Sequence, residues 1–181
     1  DRLILLNKAK DRKMCWALIV DGDEIYEDES TKWIHEFTQL NSHHGHFTVK
    51  FLYVNLWKGR ERYRTDAWNN SWFPRLFSMT DLILKGEALH NYAFQFQVGN
   101  SIGPGNIIQA PVKCLHYGWA DWKHRVEKTE RYILRDMEVF NVSREYAVQK
   151  YSMDTNENGL QLSKADPSWA SEFREGREID Y

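Results

Sequence analysis

Cysteine is scarce in this chain of 181 residues: Cys15 and Cys114 are the only two, far apart and without metal-ligand spacing. Both lie in apolar runs, where a reduced thiol behaves as a small hydrophobe, which points to a reducing, cytoplasmic setting. Glycine and proline are few as well, 10 and 4 residues, which leaves no room for a collagen-like or linker-dominated chain. Neither sign of charge is in excess. With 24 Lys and Arg against 26 Asp and Glu the net charge is -2, so no global field draws the chain onto nucleic acid or an anionic membrane. No apolar run approaches the ~20 residues of a membrane span, and the opening Asp1-Arg2-Leu3-Ile4-Leu5-Leu6 is too short and too acidic at its first position for a signal peptide. What the chain has in plenty is aromatic side chains, 8 Trp, 9 Tyr and 9 Phe. Most of these serve a core, and the remainder can stack on flat apolar ligand faces, sugars included. A hydrophobic share of 42% with 28% charged residues excludes a disordered chain, and the length suits one domain.

The hydrophobic pattern predicts a short amphipathic helix over Leu3 to Met14 and then a buried strand, Cys15 to Val20, of the kind found inside a parallel sheet. A helix of about three turns follows with Ser30 as its N-cap and Trp33, Ile34, Phe37 and Leu40 on one face. Phe47 to Trp57 is the longest strand candidate, with shorter ones at Arg62 to Arg64, Trp72 to Met79, Leu82 to Lys85, Ala88 to Phe96 and Ile107 to Leu115. From residue 120 to 139 the period changes to that of a long amphipathic helix, with Trp122, Val126, Thr129, Ile133 and Met137 on the inner stripe. Asn141-Val142-Ser143 ends it, Ser143 capping a further short helix to Tyr151. Residues 156–181 read as a polar, acidic tail in which Pro167, Trp169 and Phe173 dock locally.

Chemistry concentrates where the first buried strand stops, at Asp21-Gly22-Asp23-Glu24. Two carboxylates one residue apart at a strand's carboxyl end can share one hard divalent cation and leave positions for phosphate oxygens, the mixed shell that Mg²⁺ and Mn²⁺ prefer. Gly22 between them would permit close backbone approach. Trp68 and Trp72 flank Asn69-Asn70-Ser71, a mixture of indoles and amides suited to a sugar acceptor. His43-His44-Gly45-His46 reads as a surface loop rather than a metal cluster.

Trp16-Ala17-Leu18-Ile19-Val20-Asp21-Gly22-Asp23-Glu24 resembles the "W-x-L-x-x-D-x-D-E" strand of family 2 glycosyltransferases of the GT-A fold. Three further segments resemble that family in order: Phe73-Pro74-Arg75-Leu76-Phe77 its "P-R-L-F" strand, Gly86-Glu87-Ala88-Leu89-His90 its "G-x-x-H-E" segment, and Leu115-His116-Tyr117-Gly118-Trp119 its "H-Y-G" before a Lys/Arg/Tyr helix, here Lys128-Thr129-Glu130-Arg131-Tyr132. The resemblance spans about residues 12 to 155 and implies an α/β fold, the metal and acceptor portion of a GT-A-type mixed sheet flanked by helices, with a C-terminal helical extension. The βα units that hold the nucleotide in that family have no counterpart here, so 1–155 would be a partial glycosyltransferase domain and 156–181 its tail.

The activity so implied is metal-dependent, inverting transfer of a sugar from a nucleotide-diphosphate donor to a hydroxyl of a glycan or lipid-linked saccharide, with Mn²⁺ or Mg²⁺ as cofactor. Asp21, Asp23 and His116 would hold the ion, and His116 with Lys123 would touch the donor diphosphate; Arg125 and Lys128 are further cations on the same helix. Trp68 and Trp72 would meet the acceptor. Asn91 stands where the family has its acid, and an amide cannot take a proton, so the base falls to Glu87 or His90, with Asp81 a weaker third. Three apart on an extended strand, Glu87 and His90 face opposite sides, and at most one points into a cleft. The alternative is a non-catalytic carbohydrate-binding or scaffold domain derived from that fold. Nucleic acid and a transmembrane segment are not expected, and self-association is.

Overall fold

The computed structural model describes residues 2–41, 45–66, 71–85, 93–98, 101–103, 105–152 and 159–171. It is an α/β protein whose main sheet is mixed, has five strands and is flanked by helices. The helices are α1 (Arg2–Asp11), α2 (Glu29–Leu40), α3 (Trp122–Phe140) and α4 (Arg144–Lys150). The strands are β1 (Trp16–Leu18), β2 (Glu24–Tyr26), β3 (Phe47–Asn55), β4 (Arg62–Arg64), β5 (Ser71–Ser78), β6 (Leu82–Lys85), β7 (Ala93–Val98), β8 (Ser101–Gly103), β9 (Asn106–His116) and β10 (Leu162–Lys164). The main sheet runs β1-β5-β3-β9-β2, while β6-β7-β8 and β10-β4 form two small antiparallel sheets.

The chain divides into two compact units, each drawn from separate stretches of sequence, and β3 and β9 contribute residues to both. In the first (1–22, 29–52 and 72–113), α1 places Leu6 and Ala9 on Ile19, Phe77, Met79 and Leu82, while Ile4 and Leu5 on its other side stay exposed. A second packing centre in this unit is aromatic: Trp16 of β1, Trp33 and Phe37 of α2 and Phe47 and Phe51 of β3 meet at ring separations of 5.0–6.1 Å, several of them edge to face.

Two expectations change in this unit. Among the described residues the Cys15–Val20 run is an edge strand, three residues of which pair antiparallel with Leu76–Ser78 of β5, and Leu18 and Val20 are 40% and 50% exposed. A continuous apolar run is consistent with two-sided burial but does not enforce it, because the neighbours that would cover the second face are a tertiary matter. Ser30 is the second residue of α2, its hydroxyl buried without a hydrogen-bond partner, so it does not act as a cap.

In the second unit (23–28, 53–71 and 114–181), Val54, Leu56, Leu115, Tyr117 and Ala120 form a core with Ala165 and Ala170. The last two follow β10, which pairs with β4, and Trp169 meets Tyr63 at 5.3 Å. The stretch that composition marks as a polar tail therefore carries a strand and core residues. Helix α3 starts as a capped helix should, the Asp121 carboxylate accepting from the His124 N–H at 2.9 Å, and ends at Asn141 in the left-handed region, φ 52°. Ser143 caps α4 by accepting from the Tyr146 N–H, as the sequence predicts.

The inner stripe of α3 differs from the apolar reading. Arg125, Thr129, Ile133 and Asp136 are buried, whereas Trp122 and Val126 are 53% and 40% exposed. The reason is compensation of buried charge by specific partners. The Arg125 guanidinium lies 4.3 Å from the Trp57 ring centroid, with Trp122 at 5.2 Å, and donates to the Trp119 carbonyl; Arg64, paired with Asp66, also stacks on Trp57 at 5.1 Å. Asp136 accepts from Lys150 and Tyr151 at 2.6 and 2.9 Å and from Arg135.

Candidate functional site

The second unit gathers an acid, an imidazole and an ammonium at one point. His116 is the last residue of β9, where the burial of alternate residues gives way to an unbroken run, Cys114, Leu115 and His116. Its antiparallel register partner is Glu24 of β2, and one step further the Tyr117 N–H donates to the Asp23 carbonyl at 2.7 Å. This extension of the ladder sets Asp23 beside the imidazole, Oδ2 lying 3.1 Å from His116 Nε2. Strand β3 supplies the other side. Tyr53 and Asn55, two apart and so on one face, meet Glu24 and His116: the Tyr53 hydroxyl donates to the buried Glu24 carboxylate, and Asn55 Oδ1 is 2.7 Å from His116 Nδ1. The Tyr53 and His116 rings are 4.9 Å apart.

Lys128, in the second turn of α3, completes the cluster. Its Nζ lies 3.3 Å from Asp23 Oδ2, 3.3 Å from His116 Nε2 and 5.0 Å from the Trp119 ring centroid. Gly118 closes over the three atoms. A Cβ there would approach Asp23 Oδ2, Lys128 Nζ and His116 Nε2 more closely than real Cβ atoms ever do, and the backbone φ of Gly118 is not positive, so close approach rather than conformation requires the glycine.

The titration behaviour follows from these neighbours. The His116 ring nitrogen and the Lys128 charge hold the Asp23 carboxyl well below the usual carboxylate range, against the opposing effect of partial burial. Burial pushes His116 down, outweighing the Asp23 carboxylate that would favour its charged form. At neutral pH Asp23 is therefore a carboxylate and His116 a neutral imidazole. Both ring nitrogens of His116 are engaged, Nδ1 by the Asn55 amide and Nε2 by Asp23 and Lys128.

The Asp23 oxygen and the His116 nitrogen, 3.1 Å apart, would form, once the proton between them is lost, a ligand pair that suits Mn²⁺ better than Mg²⁺, which takes oxygen almost alone. Among the described residues no group of three His, Cys, Asp or Glu side chains is placed to hold an ion, so further ligands would have to be oxygens of water or substrate.

The remaining sequence candidates divide clearly. Asp21 belongs to the first unit and forms an ion pair at 3.4 Å with Arg75 of β5, the arginine of Phe73-Pro74-Arg75-Leu76-Phe77. Gly22 has open space around its Cα, so no close approach requires a glycine there. Lys123 is exposed on α3, Arg125 is buried on Trp57, and Trp72 is half-buried on β5. Asp81 is 3.2 Å from His46. Trp68, Glu87, His90, Asn91, His43 and His44 lie outside the described residues. Sequence reading missed Tyr53, Asn55 and the steric role of Gly118. The first two carry a usable signal, polar groups two apart near the end of an otherwise apolar strand, whereas the third depends on what folds beneath the glycine.

Comparison of the chain with family models, with curated proteins and with solved structures returns no match.

Proposed function

We propose that this chain carries the metal and acceptor portion of a metal-dependent, inverting glycosyltransferase that transfers a sugar from a nucleotide-diphosphate donor to a carbohydrate or lipid-linked hydroxyl. The observation that supports this reading best is the Asp23–His116 donor pair roofed by Gly118, because it falls on two of the segments that carry the family resemblance, Asp21-Gly22-Asp23-Glu24 and His116-Tyr117-Gly118. Asp23 and His116 would hold the ion; when bound, the ion offsets negative charge on the departing diphosphate. With the ion bound, Asn55 would accept from Nδ1–H and so direct the Nε2 lone pair to it, the role that outer partners of metal-bound histidines commonly play. Lys128 adds a positive charge for phosphate oxygens beside that position. Removal of the acceptor proton is assigned to Glu87 or His90.

The test uses the full chain with Mn²⁺ and a panel of nucleotide sugars and acceptors. Asp23→Asn is expected to abolish both Mn²⁺ binding and transfer, and either Glu87→Gln or His90→Ala to lower turnover by roughly 10²–10⁴-fold with donor binding intact. Transfer that is indifferent to Asp23→Asn would refute the reading. Saccharide binding without any transfer would favour the carbohydrate-binding alternative, which Asn91 at the acid position supports.

A further inference from the structure

Around Asp23 three side chains meet at one point. The Asp23 carboxylate and the His116 ring lie within hydrogen-bond distance, Oδ2 being 3.1 Å from Nε2. Lys128 Nζ, 3.3 Å from each of these atoms, sets its own charge against both. A divalent ion would bind these same two atoms at roughly 2.0–2.2 Å, and the Lys128 side chain already lies against both of them. The ammonium and the ion therefore need the same place and repel each other. An exit exists: the Asp23 side chain is 41% exposed, and Lys128 Nζ already lies against the face of Trp119 at 5.0 Å, a surface that holds a cation when its anionic partner is taken away.

We propose that Lys128 is an internal competitor for the divalent-ion position, holding Asp23 and His116 together in the ion-free protein and displaced from them when an ion binds. This deepens the glycosyltransferase reading and rests on it for the identity of the ion's partner: the displaced ammonium, tethered to α3, becomes available to the phosphate oxygens of the donor. Ion loading then precedes diphosphate binding, because only the loaded site releases the lysine. No bond is made or broken in the exchange, and one fixed charge is traded for another.

Calorimetry with Mn²⁺ alone, without any nucleotide, tests the competition on the full chain with Lys128→Met and, in case the thioether chain disturbs packing, Lys128→Gln. Removing the competitor should tighten Mn²⁺ binding by about tenfold or more, lower the ion-free melting temperature and enlarge the upward shift that Mn²⁺ produces. Arg131→Met, which removes a charge from an exposed position on the same helix, controls for general electrostatics and should leave Mn²⁺ affinity near that of the wild type. As a direct readout, the protected side-chain ammonium resonance of Lys128 should move to a solvent-exchanging position on addition of diamagnetic Zn²⁺. Equal or weaker Mn²⁺ binding in both Lys128 variants, binding in neither variant nor wild type, or a Lys128 resonance unmoved by saturating Zn²⁺ would each overturn the proposal. Tighter ion binding in the variants without sugar transfer by any form would retain the exchange and discard the transferase reading. Ion-dependent transfer with unchanged affinity in the variants would do the reverse.

Discussion

At the scale of single residues, two glycines in neighbouring motifs make opposite demands. A Cβ on Gly118 collides with Asp23, His116 and Lys128 together, whereas a Cβ on Gly22 meets nothing within 4 Å. Gly118→Ala is therefore expected to weaken Mn²⁺ binding by roughly 10–100-fold, the range seen when groups that orient metal ligands are disturbed, while Gly22→Ala leaves it unchanged; calorimetric titration of both variants checks this. Trp57 offers a second single-residue contrast. It is fully buried and lies against the guanidinium groups of Arg64 and Arg125, both of which are also buried. Trp57→Ala should cost about 3–5 kcal/mol, the usual range for emptying a buried aromatic site, because the cavity also strips two buried cations of the ring face they stack on. Chemical denaturation measures it, and a loss under 1 kcal/mol, by ~RT scale, would mean that the guanidinium groups find other cover.

Elements hold together here through polar clasps as much as through apolar stripes. The α3–α4 junction packs Ile133, Ala147 and Tyr151, and beside them buried Asp136 accepts from Lys150, Tyr151 and Arg135. Burial resists ionisation of Asp136, but these hydrogen bonds outweigh it and leave the carboxyl below its ordinary value. A carboxylate lowered on folding adds stability above its unfolded pKa of about 3.9, and that contribution is lost as pH falls through the lower folded value. Lys150 is shifted upward, chiefly by its hydrogen bond to Asp136, so its smaller share persists below its unfolded value of about 10.4 and is lost as pH rises through the folded one. Denaturant unfolding across pH should thus show an acid limb that Asp136→Asn flattens, with a loss near neutrality of about 3 kcal/mol, typical of removing one partner from a buried ionic cluster. An acid limb of equal slope in the variant would assign acid sensitivity to other carboxylates. Ser143→Ala, which removes only the cap of α4, should cost about 1 kcal/mol.

At the scale of the whole molecule, self-association is expected at a strand edge. Among the described residues β1 ends the main sheet, pairs on one side with β5, and leaves Leu18 and Val20 largely exposed. Apolar edges of this kind pair with other chains unless charged or covered. Concentration-dependent light scattering is expected to show self-association, and Leu18→Lys to suppress it without loss of fold by circular dichroism. A monomer at every concentration would show that the edge is protected. Among the described residues no helix is long and apolar enough to cross a membrane, in keeping with the absence of long apolar runs in the sequence.

Local pattern determined a large part of this protein. Apolar spacing of three and four identifies α1, α2 and α3, alternation identifies β3, β4, β5 and β6, and the cap at Ser143 is legible from residue type alone, because each depends on neighbours within one or two turns of chain. The carboxylate and histidine of the site were also legible, Asp23 and His116 standing at the ends of apolar runs. What they do together was not. That Arg125 and Asp136 are inside while Trp122 is outside, that Cys15 to Val20 forms an edge, that β10 draws the polar C-terminal stretch onto β4, and that Asn55, Lys128 and Gly118 surround the Asp23–His116 pair all depend on contacts between residues tens of positions apart. Only tertiary structure decides these, because the free energy of a buried charge or an unscreened lone pair is set by the partner that folding brings to it, and periodicity in the sequence carries no record of that partner.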